Sequence, residues 1–137
     1  MEARNTRQRL SRMRILQLHS DFIEYKPIKK EVAIAEETEK KPKRLDNLVV
    51  LFTCVEEGDN EAVAKQAIDE VKDALQKLKA EKILIYPYAH LSSNLAKPTA
   101  ALKILKSMEK YAKDVGIETY RSPFGWNKQF SLSIKGH

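Results

Sequence analysis

The chain has 137 residues, a net charge of +6 and a single cysteine, Cys54. That length supports one domain with a real core and excludes two. No apolar run approaches the ~20 residues of a membrane span, no signal-type hydrophobic region follows Met1, and a lone cysteine excludes an internal disulfide, so a cytoplasmic protein is expected.

The positive charge is unevenly spread. Residues 1–12 carry Arg4, Arg7, Arg9 and Arg12 against one acid, Glu2. This basic stretch supplies half of the net charge and has no apolar periodicity. It reads as a flexible extension: a solvated arm, an expression remnant or an RNA-gripping tail. The expected domain is therefore residues 13–137.

Residues 14–19 carry Ile15, Leu16 and Leu18 as a strand, and residues 21–29 carry Phe22, Ile23 and Tyr25 as its hairpin partner. The polar link His19-Ser20-Asp21 suits a tight turn or a bulge. Residues 30–47 are dominated by charge and predict a solvated loop or strand. Residues 48–55 are nearly all apolar, as in a central strand covered on both faces. Cys54 lies in that run and is most simply a small buried residue.

Gly58, Asp59 and Asn60 then break the strand and offer a helix N-cap. Val63, Ala67, Ile68, Val71, Ala74, Leu75 and Leu78 follow at helical spacing, predicting an amphipathic helix of ~18 residues. Residues 83–86 form the next buried strand. A second helix over residues 98–115 presents Ala101, Leu102, Leu105, Met108, Tyr111, Ala112 and Val115, with Pro98 suited to its first turn and Gly116 to its end. Strands over residues 117–120 and 129–134 close the chain, the last two being expected to pair antiparallel. The fold class is α/β (α+β): a mixed, largely antiparallel sheet with two amphipathic helices on one face. The opposite face also needs cover, and a homodimer packing sheet on sheet is one way to provide it.

Two stretches carry chemistry. The strand over residues 83–86 delivers His90, Ser92, Ser93 and Asn94 just ahead of a helix, a common way to hold a small ligand. His90 either caps the turn or contacts a ligand, since imidazole titrates near neutral pH. Ser92 and Ser93 lack a nucleophile elbow, so satisfying free amides or bonding a ligand suits them better than nucleophilic catalysis. No glycine-rich phosphate loop is present, and no histidine spacing supports a metal site. The second stretch, residues 121–128, displays Phe124, Trp126 and Lys128 on a turn shaped by Pro123 and Gly125. An aromatic beside a cation suits a nucleobase or ribose-phosphate end, and ordinary hairpin packing is the plainer reading. Lys128 could also bind a water or an oxyanion.

Pro87-Tyr88-Ala89-His90-Leu91-Ser92-Ser93 and Pro123-Phe124-Gly125-Trp126-Asn127-Lys128, together with Leu18-His19-Ser20-Asp21 and Lys135-Gly136-His137, resemble the N-terminal editing domain of archaeal threonyl-tRNA synthetase. The resemblance covers Met13 to His137. It implies a fold like D-aminoacyl-tRNA deacylase, a homodimer, and hydrolysis of the ester that links L-serine to mischarged threonine tRNA. One methyl separates serine from threonine, too little for one synthetic site to sort, so a second hydrolytic sieve is needed. The implied pocket holds the 3′-terminal aminoacyl-adenosine largely through backbone atoms, the tRNA 2′-hydroxyl assists, and side chains position a water. Carried over by motif, Lys128 and His90 are the catalytic candidates; Tyr88, Ala89, Phe124, Gly125, Trp126 and Asn127 are the substrate-binding ones. No cofactor or metal is expected. The partners implied are threonine tRNA and a catalytic synthetase module, the chain being an excised domain or a freestanding editor. The family pattern has a tyrosine where Asn127 stands and a cysteine where Ile134 stands. The alternatives are a D-aminoacyl-tRNA deacylase and a non-catalytic module that binds RNA ends.

Overall fold

A computed structural model describes residues 13–136; the basic extension at residues 1–12 lies outside them. The elements are β1 (Arg14–Lys30), β2 (Lys43–Cys54), α1 (Glu61–Leu78), β3 (Lys82–Pro87), a short 3-10 turn (Ala89–Leu91), α2 (Pro98–Asp114), β4 (Glu118–Arg121) and β5 (Trp126–Ile134). They form one mixed sheet of order β4-β3-β2-β1-β5. β1 pairs antiparallel with β2 and β5, while β2–β3 and β3–β4 are parallel and shorter.

The helices follow their sequence signals. Asn60 caps α1 by accepting from the Val63 N–H at 3.0 Å, and Lys79 ends it in the left-handed region. Ala64, Ile68, Val71 and Leu75 form its buried stripe. α2 starts on Pro98, stops before Gly116 (φ 92°), and buries Ile104 where the pattern had favoured Leu102. Both stripes pack with Val49, Leu51, Ile83 and Ile85 on one face of the sheet.

Two expectations are corrected. First, residues 14–29 do not form a hairpin: β1 is one 17-residue strand. The polar His19-Ser20-Asp21 link is the site of an irregularity, with a register shift between Ser20 and Phe22 in the β1–β5 ladder. Opposite it, Asn47 takes a left-handed conformation (φ 52°), which asparagine tolerates, while the β1–β2 ladder keeps one register from Arg14 to Tyr25. A bulge absorbs the polar residues without reversing the chain.

Second, β4 and β5 do not pair; they lie at opposite edges of the sheet. A short connection usually means a hairpin, but in a strongly curled sheet it can also join two edges. The rings show the curl. Tyr25 of β1 lies 5.9 Å from Tyr86 of β3, and Phe130 of β5 lies 5.4 Å from Phe52 and 5.7 Å from Tyr86. In a flat sheet β5 and β3 would stand roughly 14 Å apart, three strand spacings. The second half of β1 and all of β5 thus fold back over the helix-free face. There they cover a second core of Ile23, Leu48, Val50, Phe52, Leu84 and Tyr86. The chain itself supplies much of the cover that a sheet-on-sheet partner would have given.

Candidate functional site

The curl brings the end of β3 against the start of β5. By strand alternation Lys128, Phe130 and Leu132 point to the same concave side. Between Lys128, Phe130 and the loop after β3 is a cavity of ≈ 420 Å³. All eight residues carried over by motif line it: Tyr88, Ala89 and His90 from one side, Phe124, Gly125, Trp126, Asn127 and Lys128 from the other. Its floor is Thr53, Cys54 and Val55 at the end of β2, and Leu95, Ala96, Pro98, Ala101 and Leu105 make an apolar wall.

The β3 side is fixed by backbone bonds. The Tyr88 N–H donates to the Thr53 carbonyl at 2.9 Å, and the Ala96 N–H to that of Val55 at 3.1 Å. Tyr88 stacks edge-on to Phe52 and His90 at 5.0 and 5.3 Å, leaving the His90 ring exposed at the rim. Ser92, Ser93 and Asn94 do not join the cavity lining. The Ser92 hydroxyl donates to the buried Glu56 carboxylate and accepts from the Asn94 N–H at 2.9 Å, so it ties the loop to β2. Cys54 is buried as expected, its thiol pushed up by burial.

Lys128 is the unusual group. Its Nζ lies 4.4 Å from the centre of the Tyr86 ring, within cation–π reach. Burial outweighs that attraction and pushes its pKa down to about 7, with Arg121 adding to the fall and Glu36 opposing it. At neutral pH a large share of the protein therefore carries a neutral amine inside the cavity, able to accept a proton.

The opposite wall rests on residues 31–42, which the sequence presents only as a charged, solvated stretch. The Glu31 N–H donates to the Gly125 carbonyl at 2.7 Å, and the Glu36 N–H to that of Phe124 at 3.0 Å. The Glu36 carboxylate accepts from the Phe124 N–H at 2.9 Å and from Arg121 Nη2 at 2.9 Å, and its carbonyl accepts from Trp126 Nε1 at 2.7 Å. Arg121 also reaches Glu109 of α2 at 2.8 Å. The only sequence hint of this network is an arginine placed just before the aromatic turn.

Gly125 is required for two reasons. Its φ is +85°, and a Cβ there would stand 2.8 Å from both Ala35 Cα and Val32 Cγ2. Gly125→Ala is expected to cost about 2–4 kcal/mol, because strain adds to a backbone collision. Urea unfolding measures it; a cost below about 0.5 kcal/mol would mean that the turn moves freely.

Two helices on one face of a curled mixed sheet, with an aromatic, lysine-bearing cavity at its rim, define an α+β domain with a candidate small-ligand site. The chain belongs to the archaea-specific editing domain of threonyl-tRNA synthetase, the family that matches residues 13–137. It is 52% identical over 126 residues to a threonine–tRNA ligase of Nitrosopumilus maritimus, with 91% of this chain and 20% of that protein covered. It is 46% identical over 125 residues to a threonine–tRNA ligase editing subunit of Saccharolobus solfataricus, covering 91% of this chain and 32% of the subunit. A Methanocaldococcus jannaschii threonine–tRNA ligase is 42% identical over 128 residues, again with 91% and 20% covered. The chain thus spans a fifth to a third of the length of these relatives.

Proposed function

We propose that this domain hydrolyses the ester bond of L-serine mischarged onto threonine tRNA. The observation that carries the reading is the convergence of Lys128, with its pKa near neutrality, and both predicted loops on one cavity. The cavity volume lies in the range of small-ligand sites, about 300–1,000 Å³. The aromatic rings offer surfaces for the terminal adenosine, and the backbone of Tyr88, Ala89, Phe124 and Gly125 frames the aminoacyl group. The neutral Lys128 amine accepts a hydrogen bond from a water and orients it toward the ester carbonyl. Attack breaks the acyl carbon–oxygen bond, the tRNA leaves with its hydroxyl restored, and serine leaves as the carboxylic acid. His90, exposed at the rim, positions substrate.

The working form is proposed to be a homodimer that serves a catalytic synthetase module. Leu16 and Ile134 are 47% and 52% exposed, apolar surface that a second copy could cover.

The test is release of serine from seryl-threonine tRNA, with threonyl-threonine tRNA as control. Serine release is expected well above the buffer rate, threonine release near it, and sedimentation at twice the chain mass. Serine release at the buffer rate would sink the hydrolase reading. A strong preference for D-aminoacyl substrates would transfer it to D-aminoacyl deacylation, and a monomeric mass would remove the dimer.

A further inference from the structure

Glu36 lies in the connection between β1 and β2, a stretch whose neighbours Glu37 and Glu39 are exposed and paired only with surface lysines. Glu36, by contrast, turns inward. Its amide, carbonyl and carboxylate all engage one short segment: Phe124 through both backbone groups, Trp126 through its indole, and Arg121 through its guanidinium. That segment leads directly into Lys128, two residues beyond Trp126. Glu36 is not among the residues that line the cavity. It therefore acts on the site from behind.

We propose, resting on the deacylase reading above, that Glu36 is a positioning residue for Lys128. It clamps the turn that carries the lysine into the cavity and supplies the negative charge that balances Arg121 beside it.

The groups that face Lys128 come from four elements: the Tyr86 ring from β3, Tyr88 and His90 from the loop after it, Glu31 and Glu36 from the connection, and Arg121 at the end of β4. Glu36 favours the charged amine, whereas Arg121 disfavours it. Removing the Glu36 charge should move the Lys128 titration to lower pH, and the rate with it if the neutral amine works on water. A residue that merely stabilised the fold would leave that midpoint in place.

The experiment uses the full chain with Glu36→Gln and Glu36→Ala. Gln can still accept from Phe124 but carries no charge, whereas Ala loses both functions. Three readouts are taken: exchange of the Phe124 amide, titration of the Lys128 side chain by carbon-13 NMR (assigned by its absence in Lys128→Met), and the pH profile of serine release. The single Trp126 indole resonance reports the turn independently of turnover.

In Glu36→Ala we expect Phe124 exchange at least about tenfold faster and the plateau kcat at least about tenfold lower, with KM within about threefold. In Glu36→Gln we expect the amide protected and the plateau restored to within about threefold, but the lysine midpoint and the rate limb lowered by about half a pH unit or more. An unmoved midpoint in Glu36→Gln overturns the proposal, as does a protected Phe124 amide with full kcat in Glu36→Ala. If Glu36→Ala fails to fold, the Gln variant decides alone. A wild-type protein that releases no serine defeats the deacylase reading, while the titration and the amide exchange still decide on Glu36.

Discussion

Lys128→Met is expected to lower serine release by about 10²–10³-fold and, at the same time, to make the protein more stable at neutral and acidic pH. Both effects have one cause. The ammonium sits under the curled sheet against the Tyr86 ring, and burial brings its pKa from 10.5 to about 7. Unfolded, the lysine holds its proton up to about pH 10.4. Between pH 7 and 10.5 the unfolded chain therefore binds more protons than the native one, and stability rises with pH through that window. Below pH 7 the native protein carries the full cost of a buried charge. A methionine of similar length removes that cost and keeps a favourable sulfur–aromatic contact with Tyr86.

Allowing for partial solvent contact, the gain at pH 6 should be on the order of 3 kcal/mol, vanishing toward pH 10.5. Urea unfolding at pH 6, 8 and 10 measures it. A Met variant less stable than wild type at pH 6 would refute the burial argument, and one with wild-type kcat would remove Lys128 from the chemistry. Cys54→Ala, a cavity-floor change without charge, should slow release far less.

Arg121→Ala should have the largest effect on stability, about 3–5 kcal/mol, or a fall in Tm of roughly 10–20 °C. The arginine side chain is 10% exposed and bonds Glu36 on the connection and Glu109 on α2. Without it two carboxylates remain partly buried near each other. In the native protein burial raises the pKa of both acids, but their bonds to Arg121, joined by the Phe124 amide at Glu36 and by Lys113 at Glu109, together outweigh it and hold both below the usual carboxylate value. Their contribution is present above the unfolded carboxylate pKa and disappears as pH falls through the lower native values. The gap between wild type and variant should therefore be wide at pH 7 and narrow in strong acid. Thermal unfolding at both pH values tests this; a Tm change under about 2 °C at pH 7 would show that the network contributes little.

The candidate site was legible where its residues are contiguous. Tyr88, Ala89 and His90 follow a buried strand directly, and Phe124 to Lys128 crowd aromatics and a cation onto one turn, so each half announced itself. Glu36 did not. In sequence it looks like Glu37 and Glu39, and its bonds to Arg121, Phe124 and Trp126, 85 to 90 residues away, distinguish it. Ser92 shows the opposite case: it stands in a ligand-like cluster, yet its hydroxyl is used up on Glu56.

By itself the sequence determined both helices, the Asn60 cap of α1, the greater part of their apolar faces, the central strand β2 and the two loops that line the cavity. These depend on periodicity and on local hydrogen bonds, which a short window contains. Only the tertiary structure decided that β1 runs through its polar bulge, that β5 crosses to the far edge, and that burial pushes the Lys128 pKa down to about 7. Strand partnership and desolvation depend on what surrounds a residue, and here the surroundings come from a sheet that curls until β5 meets β3.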